Sequence, residues 1–140
     1  MSSQHLTPNT RYIASFSGGK DSTLALYYAL QSGQVLGLIM MLSEDEGRSR
    51  SHGIPLAISE LQAQSLNLPL VTRASSWSDY EKHYIDLLLE AHAQGATHLL
   101  TGDIDVPEHA SWHATVVKKA PLQLAMPLWN QSRQTIVEDF

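Results

Sequence analysis

Short apolar runs alternate with longer amphipathic segments along most of this chain. The runs at 11–16, 35–42, 69–73, 97–101 and 122–126 have the length and the aliphatic or β-branched character of buried strands. Between them, apolar residues recur at helical spacing, which predicts helices at 23–30, 54–66, 80–94 and 108–119 and a last helix that begins at 132 and runs to 140. Alternating strands and helices pair in parallel through right-handed crossovers. We therefore predict an α/β fold with an open, mostly parallel five-stranded sheet and helices on both faces. For the strand order we adopt 3-2-1-4-5, one of the common orders of such sheets.

Individual positions give the predicted helices their faces and ends. The first helix places four apolar or aromatic residues at helical spacing: Leu24, Ala25, Tyr27 and Tyr28. The third helix shows one continuous face, made of Tyr80, Tyr84, Leu87, Leu88 and Ala91. The segment 76–79 offers caps for this helix, and Gly95 ends it. Trp77, Trp112 and Trp129 are interpreted as packing residues.

In such a sheet, ligands bind beyond the carboxyl ends of the strands at the point where the strand order reverses. In the predicted order, that point lies between strands one and four. The segment 17–22 follows strand one, and Gly102 and Asp103 follow strand four. We expect these two segments to face each other across one crevice.

The loop after strand one has the composition of a phosphate site. It reads Ser17-Gly18-Gly19-Lys20-Asp21-Ser22. The two glycines permit a tight turn and bring backbone N–H groups close to a ligand, and the start of the following helix favours an anion. The serines add hydroxyl donors and the lysine adds a positive charge. The alternative is a turn that only caps the helix, with Ser17 or Asp21 as the N-cap.

Two better-known phosphate loops do not match this one. A Walker A loop would need glycine where Ala14 stands and Ser or Thr where Asp21 stands. A dinucleotide fingerprint would need Gly-x-Gly-x-x-Gly, which the chain between 16 and 33 does not contain. The remaining pattern, Ser-Gly-Gly-x-Asp-Ser, resembles the PP-loop of the adenine nucleotide α-hydrolase superfamily, the ATP pyrophosphatases. That resemblance implies a Rossmann-like fold of the HUP type and a loop that grips the pyrophosphate part of ATP.

Composition narrows the function classes further. The 140 residues form one domain, which we expect to comprise a flexible N-terminal segment at 1–10 and an ATP-binding PP-loop domain at 11–140. The net charge of −5 argues against a nucleic-acid partner. The absence of cysteine excludes thiol-based sulfur transfer, disulfides and cysteine zinc sites. With no apolar run of membrane-spanning length, we expect no membrane partner and a cytoplasmic location.

Carboxylates and histidines offer candidate metal ligands. Asp103 follows strand four directly, and together with Asp21 it could hold Mg²⁺ beside a triphosphate. The alternative for Asp103 is a helix N-cap, and both roles stay open. His109 and His113 lie four residues apart, but Ala110 stands where a metalloprotease needs glutamate, so a solvated helix surface is favoured.

Three further segments narrow the resemblance within the superfamily. They are the segment 51–54 before a helix that contains Glu60 and Gln62, the triplet at 102–104, and the segment 127–129 followed by Arg133. Together they resemble the diphthine–ammonia ligase branch, the diphthamide synthase domain family. The resemblance implies ATP-dependent amide formation, in which a carboxylate acceptor is adenylated, pyrophosphate leaves, and ammonia or another amine displaces AMP.

The loop chemistry and this resemblance together imply a set of site residues. The nucleotide-binding set is Ser15, Ser17, Gly18, Gly19, Lys20, Asp21, Ser22, Met40, His52 and Gly102. The catalytic set is Lys20, Asp21 and Asp103, of which Asp21 and Asp103 also hold Mg²⁺. Met40 has the alternative role of a buried strand residue, and His52 that of a loop histidine that caps the next helix. The expected ligands are ATP or AMP, Mg²⁺ and a carboxylate acceptor whose identity, protein or small molecule, stays open.

The chain also departs from the family pattern. Ala110 and Ala114 stand where family members carry Arg and Glu, and Val117 lies where a cysteine is usual. Family proteins continue past the segment 127–129 into a portion that helps to form the acceptor site, and we expect a second copy or a partner subunit to supply it here. Three functions therefore remain: an adenylating amide ligase, an ATP- or AMP-binding module without ligase activity, and an enzyme of the same fold with another acceptor.

Overall fold

The computed structural model describes residues 10–16, 20–43, 55–102 and 107–128, with the side chain of Lys20 excepted. The predicted N-terminal segment at 1–10, apart from its last residue, and the predicted helix at 132–140 lie outside these ranges. No helix in the described ranges is both long enough and apolar enough to cross a membrane.

Strands and helices alternate along the described chain as predicted. The elements are β1 Arg11–Ser15, α1 Lys20–Ser32, β2 Gln34–Leu42, α2 Leu56–Leu66, β3 Leu70–Ala74, α3 Tyr80–Ala93, β4 His98–Leu100, α4 Pro107–Lys119 and β5 Gln123–Ala125. The five strands pair in parallel in the order β3-β2-β1-β4-β5. The predicted fold class and strand order are therefore confirmed.

The first helix begins earlier than its apolar pattern predicts. It starts at Lys20 rather than at residue 23, because its first turn is polar and carries no periodic apolar residue. Asp21 therefore lies inside the first turn, and its alternative role as the N-cap is wrong.

The helices cover the sheet in two layers that follow from the alternation of side chains along each strand. On the first face, α1 and α2 pack on a cluster that includes Ala14, Leu38 and Leu100. On the second face, α3 and α4 pack on a cluster that includes Ile13 and Leu99. Strands buried on both sides need apolar residues at nearly every position, which explains the near-continuous apolar run of β2.

The predicted helix faces hold with one exception. In α3, the side chains of Tyr84, Leu87, Leu88 and Ala91 are buried as expected. In α1, Tyr27 is 55% exposed, so its assignment to the buried face is wrong. The reason is geometric: Ala25 and Ala29 face the sheet, and position 27 lies on the opposite side of the helix.

The two ends of α3 differ in how well they were predicted. Gly95, which has a φ of 107°, follows the helix as expected and adopts a backbone conformation that favours glycine. At the other end, Asp79 occupies the cap position but forms no side-chain cap hydrogen bond. Its carboxylate instead accepts a hydrogen bond of 3.4 Å from the hydroxyl of Ser76. The capping role assigned to this segment is therefore wrong for Asp79.

Candidate functional site

The strand order places the ends of β1 and β4 side by side at one edge of the sheet. Tyr12 pairs with His98 and Ala14 with Leu100, so the two strands run in parallel and end together. From β1 the chain passes through α1 to β2 on one side, whereas β4 lies on the other side. This edge is the point where the strand order reverses, which is where open α/β sheets bind ligands.

The end of β4 touches the first turn of α1 at a glycine. A Cβ atom on Gly102 would lie 2.9 Å from the carbonyl carbon and oxygen of Asp21 and 2.9 Å from the nitrogen of Ser22. Contacts this short do not occur in proteins, so the backbone after β4 approaches the Asp21–Ser22 peptide as closely as only glycine allows. The structure thus brings Gly102 of one segment against Asp21 and Ser22 of the other, the two segments that were expected to face each other.

The first turn of α1 lies at the positive end of a helix dipole. At such an end the backbone N–H groups point out of the helix, and the partial positive charge favours an anion. Asp21 and Ser22 are half-buried here, beside Gly102. Ser17, Gly18 and Gly19, which should complete the phosphate loop, lie outside the described residues, and so does the side chain of Lys20.

The other predicted nucleotide ligands are placed only in part. Ser15 ends β1, half-buried, opposite Ile39 of β2. Met40 follows Ile39, and its side chain is 4% exposed within the first-face core, so a ligand role for Met40 must rest on its backbone. His52 and Asp103 lie outside the described residues.

No group of three or more His, Asp or Glu side chains with metal-binding geometry occurs among the residues that the structure describes. A Mg²⁺ site does not require three protein ligands, because Mg²⁺ usually binds one or two carboxylates together with waters and the phosphate oxygens of the substrate. Asp21, in the first turn of α1, carries a carboxylate, which is the type of hard oxygen ligand that Mg²⁺ takes.

The two histidines of α4 lie in different surroundings. His109 is exposed, as expected for a helix surface, whereas His113 is half-buried. The His113 ring lies 5.2 Å from the Trp112 ring and 6.1 Å from the Tyr84 ring, between centroids. His113 is therefore a packing residue between α3 and α4, a role that the sequence did not indicate.

Trp112 packs against the second-face core as predicted. Trp77 stacks on Tyr80 at a centroid distance of 5.2 Å but is 66% exposed. The packing role predicted for Trp77 is therefore met only at the surface and not in the core.

A polar network at the opposite edge of the sheet was also missed. The hydroxyl of Thr97 lies 2.7 Å from Nδ1 of His98, and the His98 ring lies 5.7 Å from the Tyr12 ring. Burial lowers the pKa of His98 below its ordinary value of 6.5, because the protein interior solvates the charged imidazolium poorly. His98 begins β4, so it is separated from the candidate site by the length of the strand.

Comparisons with known proteins agree with this fold and identify a family. A crystal structure described as a predicted subunit of tRNA methyltransferase, from Methanocaldococcus jannaschii, matches with a TM-score of 0.58 and 19% identity over 92% of this chain and 73% of that one. At that identity the likeness shows the fold alone. No curated protein matches the sequence. The family model of the diphthamide synthase N-terminal domain matches residues 10–124, which is most of the chain. The protein therefore belongs to the diphthamide synthase N-terminal domain family.

Proposed function

We propose that this protein binds ATP with Mg²⁺ at the first turn of α1 and transfers AMP to a carboxylate, which an amine then converts to an amide. The contact between Gly102 and the Asp21–Ser22 peptide supports this proposal most directly. It brings a helix N-terminus and the end of β4 together at the ligand-binding edge of a parallel sheet. Membership of a PP-loop family supplies the nucleotide class.

Each residue of the proposed site has a chemical role. The backbone amides of 17–19 and of the first turn of α1 bind the pyrophosphate part of ATP, together with the charge of Lys20. Ser17 and Ser22 donate hydroxyl hydrogen bonds to phosphate oxygens. Asp21 and Asp103 hold Mg²⁺, which neutralises phosphate charge when bound.

The proposed reaction has two steps, adenylation of the carboxylate and its conversion to an amide. An oxygen of the acceptor carboxylate attacks the α-phosphorus of ATP, the bond from that phosphorus to the bridging oxygen breaks, and pyrophosphate leaves. The amine nitrogen then attacks the acyl carbon, AMP leaves with the oxygen that joined it, and the nitrogen loses a proton. The protein contributes by holding the carboxylate in line with the α-phosphate and by stabilising the charge that develops there.

A second candidate function is nucleotide binding without ligation. Ala110 and Ala114 are half-buried on α4, the helix that follows the site edge, and offer no charge to orient an acceptor. If the acceptor groups come from a partner subunit or a second copy, the chain alone should bind ATP well and release AMP slowly.

Calorimetric titration and thermal unfolding test the proposed binding. Because only the folded state binds, MgATP at ~100 times its dissociation constant should stabilise the fold by about 2.7 kcal/mol. The matched control is Lys119→Ala, at an exposed surface lysine of α4, which should bind like the parent, whereas Lys20→Ala should bind more weakly. No heat and no shift in melting temperature at millimolar MgATP would contradict the proposal.

Product analysis separates the two candidate functions. AMP and pyrophosphate that form only with a carboxylate and an amine present would support the ligase. Tight MgATP binding with no AMP above the enzyme-free blank would support the binding module. ADP and phosphate as the only products would contradict both, because they require cleavage at another phosphorus.

A further inference from the structure

A recess of about 380 Å³ lies beside α1 on the first face of the sheet. Tyr28 and Ser32 of α1 form one wall, and Leu100 of β4 and the residues after β5, including Met126 and Pro127, form the other. Among the described residues that line it, none carries a charged side chain. We call this recess the α1 groove. Its walls suit an apolar occupant, and its volume is within the range of sites that bury side chains or small ligands.

The groove exists because the described helices cover the two faces of the sheet unequally. On the second face, α4 packs on β5 and next to α3. On the first face, α1 reaches β4, but none of the described helices contacts β5 as extensively as α4 does on the second face. A parallel sheet normally has both faces covered, so an apolar element should lie over β4 and β5 on this side.

The chain itself turns towards the groove after β5. Met126 and Pro127 line the groove, and the next residue, Leu128, is fully buried in the first-face core. The described chain therefore ends at Leu128 on the face that needs a cover, next to the groove, and residues 129–140 follow it in the sequence.

The composition of this segment fits the groove. Ile136, Val137 and Phe140 recur at helical spacing and would share one apolar face. Ile136 is eight residues beyond Leu128, and an extended chain of that length spans about 26 Å. The groove wall from Tyr28 to Ser32 is only about 6 Å of helix, so the reach is ample.

We propose that residues 129–140 of this chain dock in the α1 groove through the apolar side chains at 136, 137 and 140. The docked side chains would contact both walls of the groove, and each wall belongs to an element that leads to the candidate site. The same helix α1 carries Asp21 in its first turn, and Leu100 is two residues before Gly102. The docked segment therefore also stabilises the first turn of α1.

The absence of cysteine from the chain allows a clean cross-linking test. Ser32→Cys is combined in turn with Ile136→Cys, Val137→Cys and Phe140→Cys in the full chain. The matched control uses Ser65→Cys in place of Ser32→Cys. Ser65 is an exposed serine of α2, and α2 packs on the same face of the sheet, on the far side of α1 from the groove. Mild oxidation of dilute protein is followed by non-reducing electrophoresis and intact mass, and circular dichroism confirms that the reduced variants are folded.

A disulfide requires Cα atoms within about 7 Å, so at least one Ser32 pair should close within the monomer on the order of tenfold faster than its Ser65 counterpart. Hydrogen exchange in a peptide covering residues 20–26 should then be slower in the oxidised form than in the reduced form. Equal closure rates for the two sets would overturn docking in the groove. Disulfide-linked dimers in place of closed monomers would overturn it in favour of a second copy. Unchanged exchange would overturn the effect on α1.

Discussion

The replacement Gly102→Ala isolates the contact between β4 and α1. The new Cβ would lie 2.9 Å from three backbone atoms of the Asp21–Ser22 peptide, which cannot rotate away as a side-chain tip can. The β4 side is held in place, because Thr101 is 2% exposed and its N–H donates to the carbonyl of Ala125 at 3.0 Å. The first turn of α1, at the end of its helix, should therefore move.

The size of the effect follows from this geometry. Inserting one carbon into a packed contact typically costs about 1–3 kcal/mol of folding stability. Displacing the first-turn amides by a few tenths of an ångström also lengthens hydrogen bonds that depend steeply on distance. We expect the dissociation constant of MgATP to rise about tenfold or more, which corresponds to about 1.4 kcal/mol of binding energy.

A second glycine provides the matched control. A Cβ on Gly33 would lie 2.8 Å from the carbonyl oxygen of Thr10, at the opposite edge of the sheet. Gly33→Ala should therefore cost similar stability in urea unfolding but leave the MgATP affinity measured by calorimetry unchanged. If Gly102→Ala binds MgATP like the parent, the close approach at Gly102 is not part of a nucleotide site. If both variants lose affinity equally, the loss reflects general destabilisation.

Three further substitutions test other parts of the structure. Asp21→Asn should weaken Mg²⁺-dependent ATP binding but lower the folding stability by less than about 1 kcal/mol, the usual contribution of a first-turn carboxylate. If parent and variant each bind ATP equally well with and without Mg²⁺, Asp21 has no metal role. Ser59→Ala should raise the free energy of unfolding in urea by about 1 kcal/mol, because the Ser59 hydroxyl is fully buried without a hydrogen-bond partner. A lower free energy of unfolding would show that the hydroxyl forms a hydrogen bond. Burial lowers the pKa of His98 in the folded state, so the unfolded chain binds the proton first as the pH falls below 6.5. The contribution of neutral His98 to the free energy of unfolding is therefore full above that pH and is lost as the pH falls towards the lower folded pKa. His98→Gln should flatten this pH dependence in urea unfolding between about pH 7.5 and 5.5, and an unchanged slope would rule out His98 as its source.

Local patterns were sufficient to predict the order of the elements along the chain and the parallel sheet, and the strand order adopted for that sheet is confirmed. The near-continuous apolar run of β2 indicated a strand buried on both faces, and the spacing of Tyr84, Leu87, Leu88 and Ala91 indicated one face of α3. Such patterns work because strand and helix periodicity depend on residues only a few positions apart. Right-handed crossovers then leave few ways to assemble the strands.

Polar first turns are harder to predict than apolar faces. The helix α1 begins at Lys20, within the segment that was interpreted as loop, because hydrogen bonding and not apolar spacing determines where a helix starts. The same limit applies to Asp79, whose residue type suggested a cap although its carboxylate accepts a hydrogen bond from Ser76 instead.

The sequence alone determined the alternation of strands and helices, and it predicted the end of the sheet at which strands one and four meet. Only the tertiary structure decided that Gly102 touches the Asp21–Ser22 peptide, that His113 packs between two helices and that Tyr27 and Trp77 are exposed. The reason is that these properties depend on distances between elements far apart in the chain. Such distances are fixed by how the helices seat on the sheet, and no spacing within one segment encodes them.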